Sequence, residues 1–303
     1  MTTSAPSCPV CATTTFADFC NVDSPTDSIH VVSCSECGLL LSSIEQKAAA
    51  AEGYDRTDPD QYAASVSNLR IHQSERIVQT VRQWKQNGLW VDVGCSFGYL
   101  LQQAKAQGFS ILGIEPDKTA FAGAAQLLGS ENVINGLFDK DMVADGSAEI
   151  ISMLDVLEHI PAEHINDMAE LVRNKLMVRG LWVIKVPSTE GLYFIIAHAL
   201  LRILPPLVLS AVKRLWQSEY RFPHTVYFSS RTLSQLLRKH NFEILSSGFL
   251  EEVPNKTIMA RLRMDPTISI PQAMLMTPAF VAINTIERLR GKSDALVIIG
   301  MKV

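Results

Sequence analysis

Short apolar runs and longer amphipathic segments alternate along most of this chain of 303 residues. Seven apolar runs bounded by glycine, proline or polar residues predict strands, at 89–93, 110–114, 132–134, 148–154, 181–186, 242–248 and 295–302. Five segments with apolar residues near helical spacing predict helices, at 69–87, 98–107, 117–128, 162–178 and 230–240. Because strands and helices alternate, we expect an α/β fold built on a largely parallel sheet.

The turn after the first predicted strand carries the strongest chemical signal. Residues 91–98 read Val-Asp-Val-Gly-Cys-Ser-Phe-Gly, and neither Gly94 nor Gly98 has a Cβ that would block a ligand. The next predicted strand leads to Glu115, whose carboxylate can accept hydrogen bonds from both hydroxyls of a ribose. A dinucleotide site prefers Gly-x-Gly-x-x-Gly and a pyrophosphate. Asp92 before the turn repels a pyrophosphate and suits a ligand with a cationic amino group, which disfavours a nicotinamide-dependent oxidoreductase.

This turn resembles motif I of class I S-adenosylmethionine (SAM) methyltransferases, usually Asp-x-Gly-x-Gly-x-Gly, with Ser96 in place of the middle glycine. The resemblance implies a Rossmann-like sheet of seven strands, the last of them inserted antiparallel. It also implies that the turn wraps the methionine part of SAM and that Glu115 holds the ribose. The cofactor-binding positions expected on this basis are Asp92, Gly94, Cys95, Gly98, Glu115, Phe138 and Asp155. Phe138 could stack on the adenine or could cover the core.

A second motif, Asp155-Val-Leu-Glu-His-Ile-Pro161, follows the fourth predicted strand. Ligands of open α/β sheets bind beyond the carboxyl ends of the strands, so Asp155, Glu158 and His159 are placed for chemistry. The string is similar to the Asp-Val-Leu-Glu-His motif of a subgroup that includes quinone-ring and sugar methyltransferases. Versions of that subgroup carry zinc knuckles.

A third string, Pro223-His224-x-x-Tyr227-Phe228, resembles the Glu-His-x-x-Tyr-Phe string of the same subgroup, with Pro223 in place of the acid. The resemblance implies that His224 and Tyr227 face the site. Methyl transfer often requires the removal of one proton, and histidine is the natural base near neutral pH. We expect His224 to be the base, His159 to be the second candidate and Tyr227 to orient the acceptor. A hydrogen-bonded structural role for each histidine is the alternative.

Four of the six cysteines form two pairs, Cys8-x-x-Cys11 and Cys34-x-x-Cys37, with 22 residues between the pairs. Two such knuckles complete a tetrahedral Zn²⁺ shell, and a core of about forty residues needs a staple of this kind. We therefore expect a zinc-ribbon-like module with structural zinc, and free thiols are the alternative. Residues 1–50 contain one Lys and no Arg, so we expect no nucleic-acid binding.

Residues 191–216 form an apolar insertion that is interrupted by Arg202 and by a proline pair at 205–206. The uncharged run is shorter than the roughly twenty apolar residues that a bilayer span needs, so we predict two helices. A lid over the sheet is the first interpretation. Lys213 and Arg214 keep open a second one, in which the segment lies on a membrane surface and the acceptor is lipid-linked.

Composition fits an α/β enzyme, with 47% hydrophobic residues and a net charge of −4 that gives no nucleic-acid footprint. The polar start of the chain does not read as a secretory signal, so a cytoplasmic location is expected. We expect a zinc module at 1–45, a helical linker or cap at 46–88, and a methyltransferase domain at 89–303 that contains the lid insertion 191–228.

The predicted activity is SAM-dependent methyl transfer to oxygen or carbon of a small-molecule acceptor. The subgroup resemblance implies a sugar- or polysaccharide-related acceptor. We favour oxygen, because sugar C-methyltransferases generally carry a further carboxy-terminal domain that this sequence does not show. A quinone or lipid-linked acceptor at the membrane surface is one alternative. A non-catalytic zinc-binding adaptor on a methyltransferase fold is the other.

Overall fold

The computed structural model describes residues 7–23, 28–44, 59–218, 220–263 and 268–303, without the side chains at 23, 28, 59–66 and 205–207. Within these ranges the strands are β1 Phe16–Asp23, β2 Ser28–Cys34, β3 Leu40–Ser42, β4 Leu89–Val93, β5 Ser110–Glu115, β6 Val133–Asn135, β7 Ala148–Leu154, β8 Leu176–Pro187, β9 Val226–Tyr227, β10 Phe242–Leu250 and β11 Ala295–Lys302. The α-helices are α1 Pro59–Val81, α2 Tyr99–Ala106, α3 Lys118–Leu128, α4 Ile165–Lys175, α5 Leu192–Leu201, α6 Pro205–Leu215, α7 Ser230–Lys239, α8 Ile258–Arg263 and α9 Ile270–Arg290.

Seven strands form the main sheet in the order β10-β11-β8-β7-β4-β5-β6. The strands β4 to β8 run parallel, whereas β11 is antiparallel to both β8 and β10. The predicted Rossmann-like methyltransferase sheet is thereby confirmed, including its antiparallel last strand. The central strands are almost wholly apolar because helices cover both faces, and Trp90 and Trp182 are fully buried.

Strand β4 lies at the point where the strand order reverses, with β5 on one side and β7 on the other. Crevices at such switch points, outside the carboxyl ends of the strands, are where open α/β sheets bind ligands. The turns after β4, β5 and β7 all end at this edge. The topology therefore gathers the three segments in which the sequence places its candidate residues.

A second, antiparallel sheet has the order β1-β2-β3-β9 and carries the four paired cysteines at its edge. Its fourth strand, β9, comes from the segment that follows the apolar insertion, and Leu40 pairs with Tyr227. Leu39 and Leu41 are buried in the same core cluster as the main sheet. The cysteine module is thus packed onto the methyltransferase domain and shares its core.

The apolar insertion forms two helices, α5 and α6, as predicted. Pro205 and the next proline occupy the first helical positions of α6, where a missing N–H costs nothing. The pair packs on the small sheet, with Phe194 and Trp216 in one cluster with Ile29. Among the described residues, every helix is too short or too polar to span a bilayer.

Two predicted helices have different bounds in the structure. The helix expected at 162–178 ends at Lys175, because Leu176 turns extended and pairs with Ala148 in the sheet. Gly180 therefore lies inside β8 and is not the helix stop that its position suggested. The helix expected at 69–87 is α1, which begins ten residues earlier and ends at Val81. Part of the expected linker, 46–58, lies outside the described residues, as does residue 45 at the end of the expected zinc module.

Candidate SAM and acceptor site

Three residues of the turn between β4 and α2 have a left-handed backbone. The φ angles are 71° at Gly94, 48° at Ser96 and 83° at Gly98. The backbone N–H groups of Gly94 and Cys95 donate to the carbonyl oxygen of Ile114, which fixes the turn on β5. A serine in this conformation costs on the order of 1 kcal/mol relative to glycine. The departure at Ser96 from the motif therefore keeps the backbone shape that the usual glycine provides.

Glu115 joins this turn to the one after β5. Its Oε2 accepts from the backbone N–H of Ser96 at 2.8 Å, and its Oε1 accepts from that of Asp117 at 2.9 Å. Burial raises the pKa of Glu115, although the two hydrogen bonds oppose the rise. A carboxylate offers about four lone-pair sites, so two of them remain for a diol such as a ribose. These features fit the ribose role expected for Glu115.

Asp92 and Cys95 lie beneath the turn. Ser152 Oγ donates to Asp92 Oδ1 at 2.6 Å and itself accepts from Trp90 Nε1 at 2.9 Å. Burial, opposed by the Ser152 hydrogen bond and reinforced by the charge of Glu115, raises the pKa of Asp92 to about 7. The thiol of Cys95 is buried against β5. Cys95 can therefore contact a ligand in the crevice only through its backbone.

Asp155, directly after β7, lies in a network of four charged side chains. It forms ion pairs with Arg70 of α1 at 2.6 Å and with Lys185 of β8 at 2.8 Å, and both cations also contact Glu252. Burial alone would raise the pKa of Asp155, but the charges of Arg70 and Lys185 outweigh it and lower the pKa to about 2. The left-handed φ of 58° at Asp155 is thus held in place by charge pairing.

Sequence reasoning missed Arg70, Lys185 and Glu252. Lys185 had a signal, since a lysine inside the apolar strand 181–186 must have a buried partner. Arg70 and Glu252 had no such signal, because Arg70 lies in an ordinary helical pattern and Glu252 lies in the loop after β10. The network fastens α1 over the carboxyl edge of the sheet.

We expect an Asp155→Asn variant to be less stable than the parent at pH 7 by about 2 kcal/mol, because it leaves the buried Lys185 and the partly exposed Arg70 with one carboxylate. The pKa of Asp155 is lower in the folded protein than its ordinary value of 3.8. The ionised form therefore contributes stability above about pH 4, and that contribution is lost as the pH falls towards 2. Urea unfolding from pH 7 to pH 2 should show the gap between variant and parent closing in acid.

Asp145→Asn is the matched control, because Asp145 also pairs with a buried lysine, Lys175, but its own side chain is 77% exposed. The Asp145→Asn substitution should lower the free energy of unfolding by less than about 1 kcal/mol. A constant difference between Asp155→Asn and the parent across the whole pH range would contradict the assignment.

Phe138 and Tyr227 are both buried packing residues. Phe138 belongs to the main core cluster and is only 8% exposed. Its ring therefore covers the core, which is the second of the two roles considered for it, and does not form an open stacking surface. Tyr227 lies in β9, packs between Phe194 and Trp216, and donates its hydroxyl hydrogen to the carbonyl oxygen of Leu215 at 2.8 Å. Its hydroxyl is therefore engaged by the backbone, and its ring contributes to the position of its neighbours.

His159 and His224 come together although 65 positions separate them. Their ring centroids are 4.8 Å apart, and His159 Nδ1 donates to the carbonyl oxygen of Pro223 at 3.1 Å. Pro223, which stands where the related motif has an acid, thus contributes its backbone carbonyl oxygen as a hydrogen-bond acceptor. Burial, and then the neighbouring His159, holds the pKa of His224 well below its usual range, so His224 is neutral at pH 7. Glu158 lies beside both imidazoles, with its side chain buried.

The four paired cysteines form one cluster. Cys8 Sγ lies 3.6 Å from Cys37 Sγ, and Cys11 Sγ lies 3.4 Å from Cys34 Sγ. These separations match a tetrahedral thiolate shell, in which Zn–S bonds of about 2.3 Å put the sulfurs roughly 3.8 Å apart. Four cysteine sulfurs in this arrangement fit a structural Zn²⁺ ion.

The two knuckles have the same backbone. The N–H of Ala12 donates to Cys8 O and the N–H of Gly38 donates to Cys34 O, both at 2.9 Å. Ala12 and Gly38 are both left-handed, with φ of 62° and 79°. The local geometry therefore repeats at both pairs, although only the second one has the glycine that such a turn favours.

A cavity of about 360 Å³ opens between the small sheet and α5. Its apolar lining comes from both elements and includes Phe19, Leu40 and Phe194, and its polar groups include His198 and Arg202. Thr189, just beyond the carboxyl end of β8, lies at one side of it. The cavity therefore adjoins the edge of the main sheet at which the candidate residues meet.

The crevice lies where the strand order of the main sheet reverses. One strand there ends in a glycine turn with left-handed backbone, and the next ends in a buried carboxylate suited to a ribose. Together these features define the fold and site of a class I SAM-dependent methyltransferase. The chain belongs to the family described as the methyltransferase domain, whose sequence profile matches residues 68–247. It is therefore an enzyme of this class rather than an adaptor, and SAM is its cofactor. No curated protein sequence matches the chain significantly.

Solved structures of other methyltransferases have the same fold. A SAM-dependent methyltransferase from Archaeoglobus fulgidus is 18% identical, with a TM-score of 0.51 over 80% of this chain and 99% of that one. Geranyl diphosphate C-methyltransferase from Streptomyces coelicolor A3(2), solved with S-adenosyl-L-homocysteine, is 14% identical, with a TM-score of 0.52 over 86% and 90%. A phosphoethanolamine N-methyltransferase from Haemonchus contortus, also holding S-adenosylhomocysteine, is 14% identical, with a TM-score of 0.54 over 82% and 58%. The neighbours act on unlike acceptors, so they share a fold with this chain and do not select its substrate.

Proposed function

We propose that the protein transfers the methyl group of SAM to a hydroxyl oxygen of a small sugar- or polysaccharide-related acceptor. The observation that carries the choice of oxygen is the pair of imidazoles formed by His159, which follows Asp155 after β7, and His224, which comes from the segment before β9. A hydroxyl becomes a good nucleophile when it loses its proton, and a neutral histidine near the reacting atom favours that loss. The strings 155–159 and 223–228 resemble a subgroup that includes both quinone-ring and sugar methyltransferases. The choice of a sugar-related acceptor rests on the two cysteine pairs, by resemblance to the zinc-knuckle versions of that subgroup.

The reaction is an in-line displacement. The S–CH₃ bond of SAM breaks, an O–CH₃ bond forms, S-adenosylhomocysteine leaves, and the hydroxyl proton is released at the imidazole cluster. His224 is the first candidate to assist that release, and His159 is the second. Tyr227 contributes by position, because its ring packs edge-on against that of His224 at 5.5 Å between centroids. On the cofactor side, the turn 94–98 would hold the methionine part of SAM and Glu115 the ribose.

We also propose that the cysteine module binds structural zinc and that it supports the acceptor side of the site. Ser42, at the end of β3, donates its hydroxyl hydrogen to the backbone carbonyl of His224 at 2.9 Å. Its backbone N–H donates to the carbonyl oxygen of Thr225, also at 2.9 Å. The module therefore fixes the backbone at His224 and Thr225.

A lipid-linked or quinone acceptor is the second candidate. It is favoured by the cavity between the small sheet and α5, which has apolar walls and the cation Arg202 at its lining. In this case the segment 191–216 would contact a membrane surface, and Ile203, 73% exposed beside Arg202, would be part of that contact.

Incubation of the purified protein with radiolabelled SAM and cell extract tests both acceptor classes in one experiment. We expect label in a water-soluble, carbohydrase-sensitive product for the first candidate. Label in the organic phase would support the second candidate and remove the first. Label that stays in the product after hydriodic acid, which removes O-methyl groups as methyl iodide, would mark a C-methyl group and contradict oxygen as the acceptor atom.

We expect His224→Ala to lower turnover by about 100-fold while SAM affinity stays within about twofold, because a positioned base contributes roughly 10²–10⁴ and His224 has no place in the SAM turn. Calorimetry with SAM and the labelling rate measure the two quantities. His240→Ala is the matched control, since His240 is similarly buried but bonds to Asn166, away from the site. Unchanged turnover in His224→Ala would retire the assignment.

A further inference from the structure

Glu158, His159 and His224 form a compact group of possible metal ligands beside the SAM edge of the sheet. One ligand atom from each lies within 4.8 Å of the others. The group is built by the fold, because Thr225 donates its backbone N–H to Glu158 O at 2.8 Å and its hydroxyl hydrogen to Ile160 O at 2.8 Å. These bonds fix the segment of His224 against the turn that carries Glu158 and His159.

Three polar atoms of this group, two on Glu158 and one on His224, lack hydrogen-bond partners among the described residues. Glu158 is 1% exposed, and neither carboxylate oxygen has a hydrogen-bond partner among the residues that the structure describes. The same holds for Nδ1 of His224, which is 5% exposed. A buried polar group without a partner costs about 1–3 kcal/mol, and a buried charge costs more. Three such atoms directed into one small space point to a bound group that satisfies them together.

The charge balance calls for a cation at this place. In the neighbouring network, Asp155 and Glu252 neutralise Arg70 and Lys185, two against two. Glu158 is therefore an additional buried acid, and Arg70 and Lys185 offset its charge only in part because they already pair with Asp155 and Glu252. A divalent ion would supply the missing positive charge.

The ligand chemistry selects the type of cation. His159 donates through Nδ1 to the carbonyl oxygen of Pro223, so its Nε2 carries the lone pair. A backbone carbonyl that holds the far nitrogen is the usual support of a metal-ligating histidine. Two imidazoles and one carboxylate suit Zn²⁺, Mn²⁺ or Fe²⁺, whereas Mg²⁺ and Ca²⁺ prefer oxygen ligands alone. Metal–ligand bonds of about 2.1 Å require the three atoms to draw together to about 3.4 Å, a small side-chain movement.

We propose that Glu158, His159 and His224 bind one divalent transition-metal ion, separate from the four-cysteine site, with coordination positions left open towards the acceptor. The binding itself does not depend on which acceptor is used. Its role rests on the proposed function and replaces the base role of the two imidazoles there: with the ion bound they are ligands, and a hydroxyl bound to the ion becomes more acidic and releases its proton to solvent more readily. The ion would then assist the proton loss that methyl transfer to oxygen requires.

Cobalt substitution tests the proposal without SAM or acceptor. The full-length protein is stripped of weakly held metal with a chelator and titrated with Co²⁺, which gives intense sulfur-to-metal charge-transfer bands in a thiolate site and only weak visible bands in a nitrogen and oxygen site. We expect the parent to bind one Co²⁺ ion with weak bands in addition to the metal of the cysteine cluster. Glu158→Gln should lose that ion or bind it at least about tenfold more weakly.

Glu163→Gln is the matched control, because Glu163 is an exposed glutamate five positions further on and should leave the titration unchanged. His224→Gln provides a second variant of the cluster, and thermal melting confirms that each variant is folded. Equal binding of Co²⁺ by the parent and by both cluster variants would overturn the proposal, as would a parent that takes up metal only with thiolate bands. Methyl transfer is assayed separately, so loss of the activity proposal would leave the metal count unaffected.

Discussion

A Gly94→Val variant is expected to bind SAM at least about 100-fold more weakly than the parent, while its fold and its zinc content persist. Gly94 has a φ of +71°, and a Cβ placed on it would lie 2.5 Å from Cγ2 of Val156. A β-branched residue in the left-handed region costs more than the 1–2 kcal/mol typical of other residues. The turn must therefore change shape, and its backbone N–H groups leave Ile114.

The collision at Gly94 also connects the two halves of the site. Val156 begins the turn that continues into Glu158 and His159, so a displaced Val156 moves the acceptor side together with the SAM side. Turnover should consequently fall even at saturating SAM. Calorimetry with SAM measures the first effect, and initial rates at high SAM measure the second.

Gly108→Val is the control for backbone strain alone. Gly108 has a φ of +92°, but a Cβ there would have no atom within 4 Å. This variant should lose somewhat more stability than the roughly 1–2 kcal/mol typical of an unbranched residue in the left-handed region, and it should keep its SAM affinity. Parent-like affinity in Gly94→Val would contradict the placement of SAM at this turn, and Gly94→Ala gives a milder version if the valine variant fails to fold.

The second large effect is expected from Cys34→Ser, which should remove one zinc ion per chain and unfold the small sheet. Cys34 is 2% exposed, and its Sγ lies 3.4 Å from that of Cys11. A structural zinc supplies about 10–16 kcal/mol of apparent binding free energy in isolated zinc-finger peptides, far more than a core of this size provides. Metal analysis and proteolysis of the amino-terminal segment report the loss.

The same variant should lose methyl transfer by about tenfold or more while its SAM affinity stays close to that of the parent. The reason is that β3 holds the backbone of His224 through Ser42, whereas the SAM turn rests on β5. Cys20→Ser is the matched control, because Cys20 lies in the same sheet but outside the cysteine cluster. A Cys34→Ser protein with parent-like zinc and activity would remove the structural role proposed for the metal.

Local patterns in the sequence were sufficient for the main sheet. Apolar runs, with glycine or polar residues at their ends, predicted all seven strands; the central runs are buried on both faces, and the edge strands β6 and β10 are partly exposed. The turn 91–98 and the acid at Glu115 could be predicted as a nucleoside site because their function depends on residues near one another in sequence. The two cysteine pairs could be interpreted for the same reason, since a knuckle is a local structure.

The exact ends of helices were less predictable. Gly180 follows the helix predicted at 162–178 and is typical of a residue that ends a helix. It lies inside β8 instead, because Leu176 pairs with Ala148, a contact that no local pattern encodes. Phe138 and Tyr227 read as site residues by motif, and the core decided their burial. In each case packing against a distant segment outweighed the local signal.

The sequence by itself determined the strands, the SAM turn with Glu115, and the cysteine pairs, because in each of these the interacting groups are neighbours along the chain or along one repeat of strand and helix. Only the tertiary structure decided that Arg70 and Glu252 close on Asp155, that β9 completes the cysteine-bearing sheet, and that His224 meets Glu158. Those partners are brought together by the path of the whole chain. Burial and charge pairing between elements stabilise these contacts, and no residue pattern within one element indicates which other element it will meet.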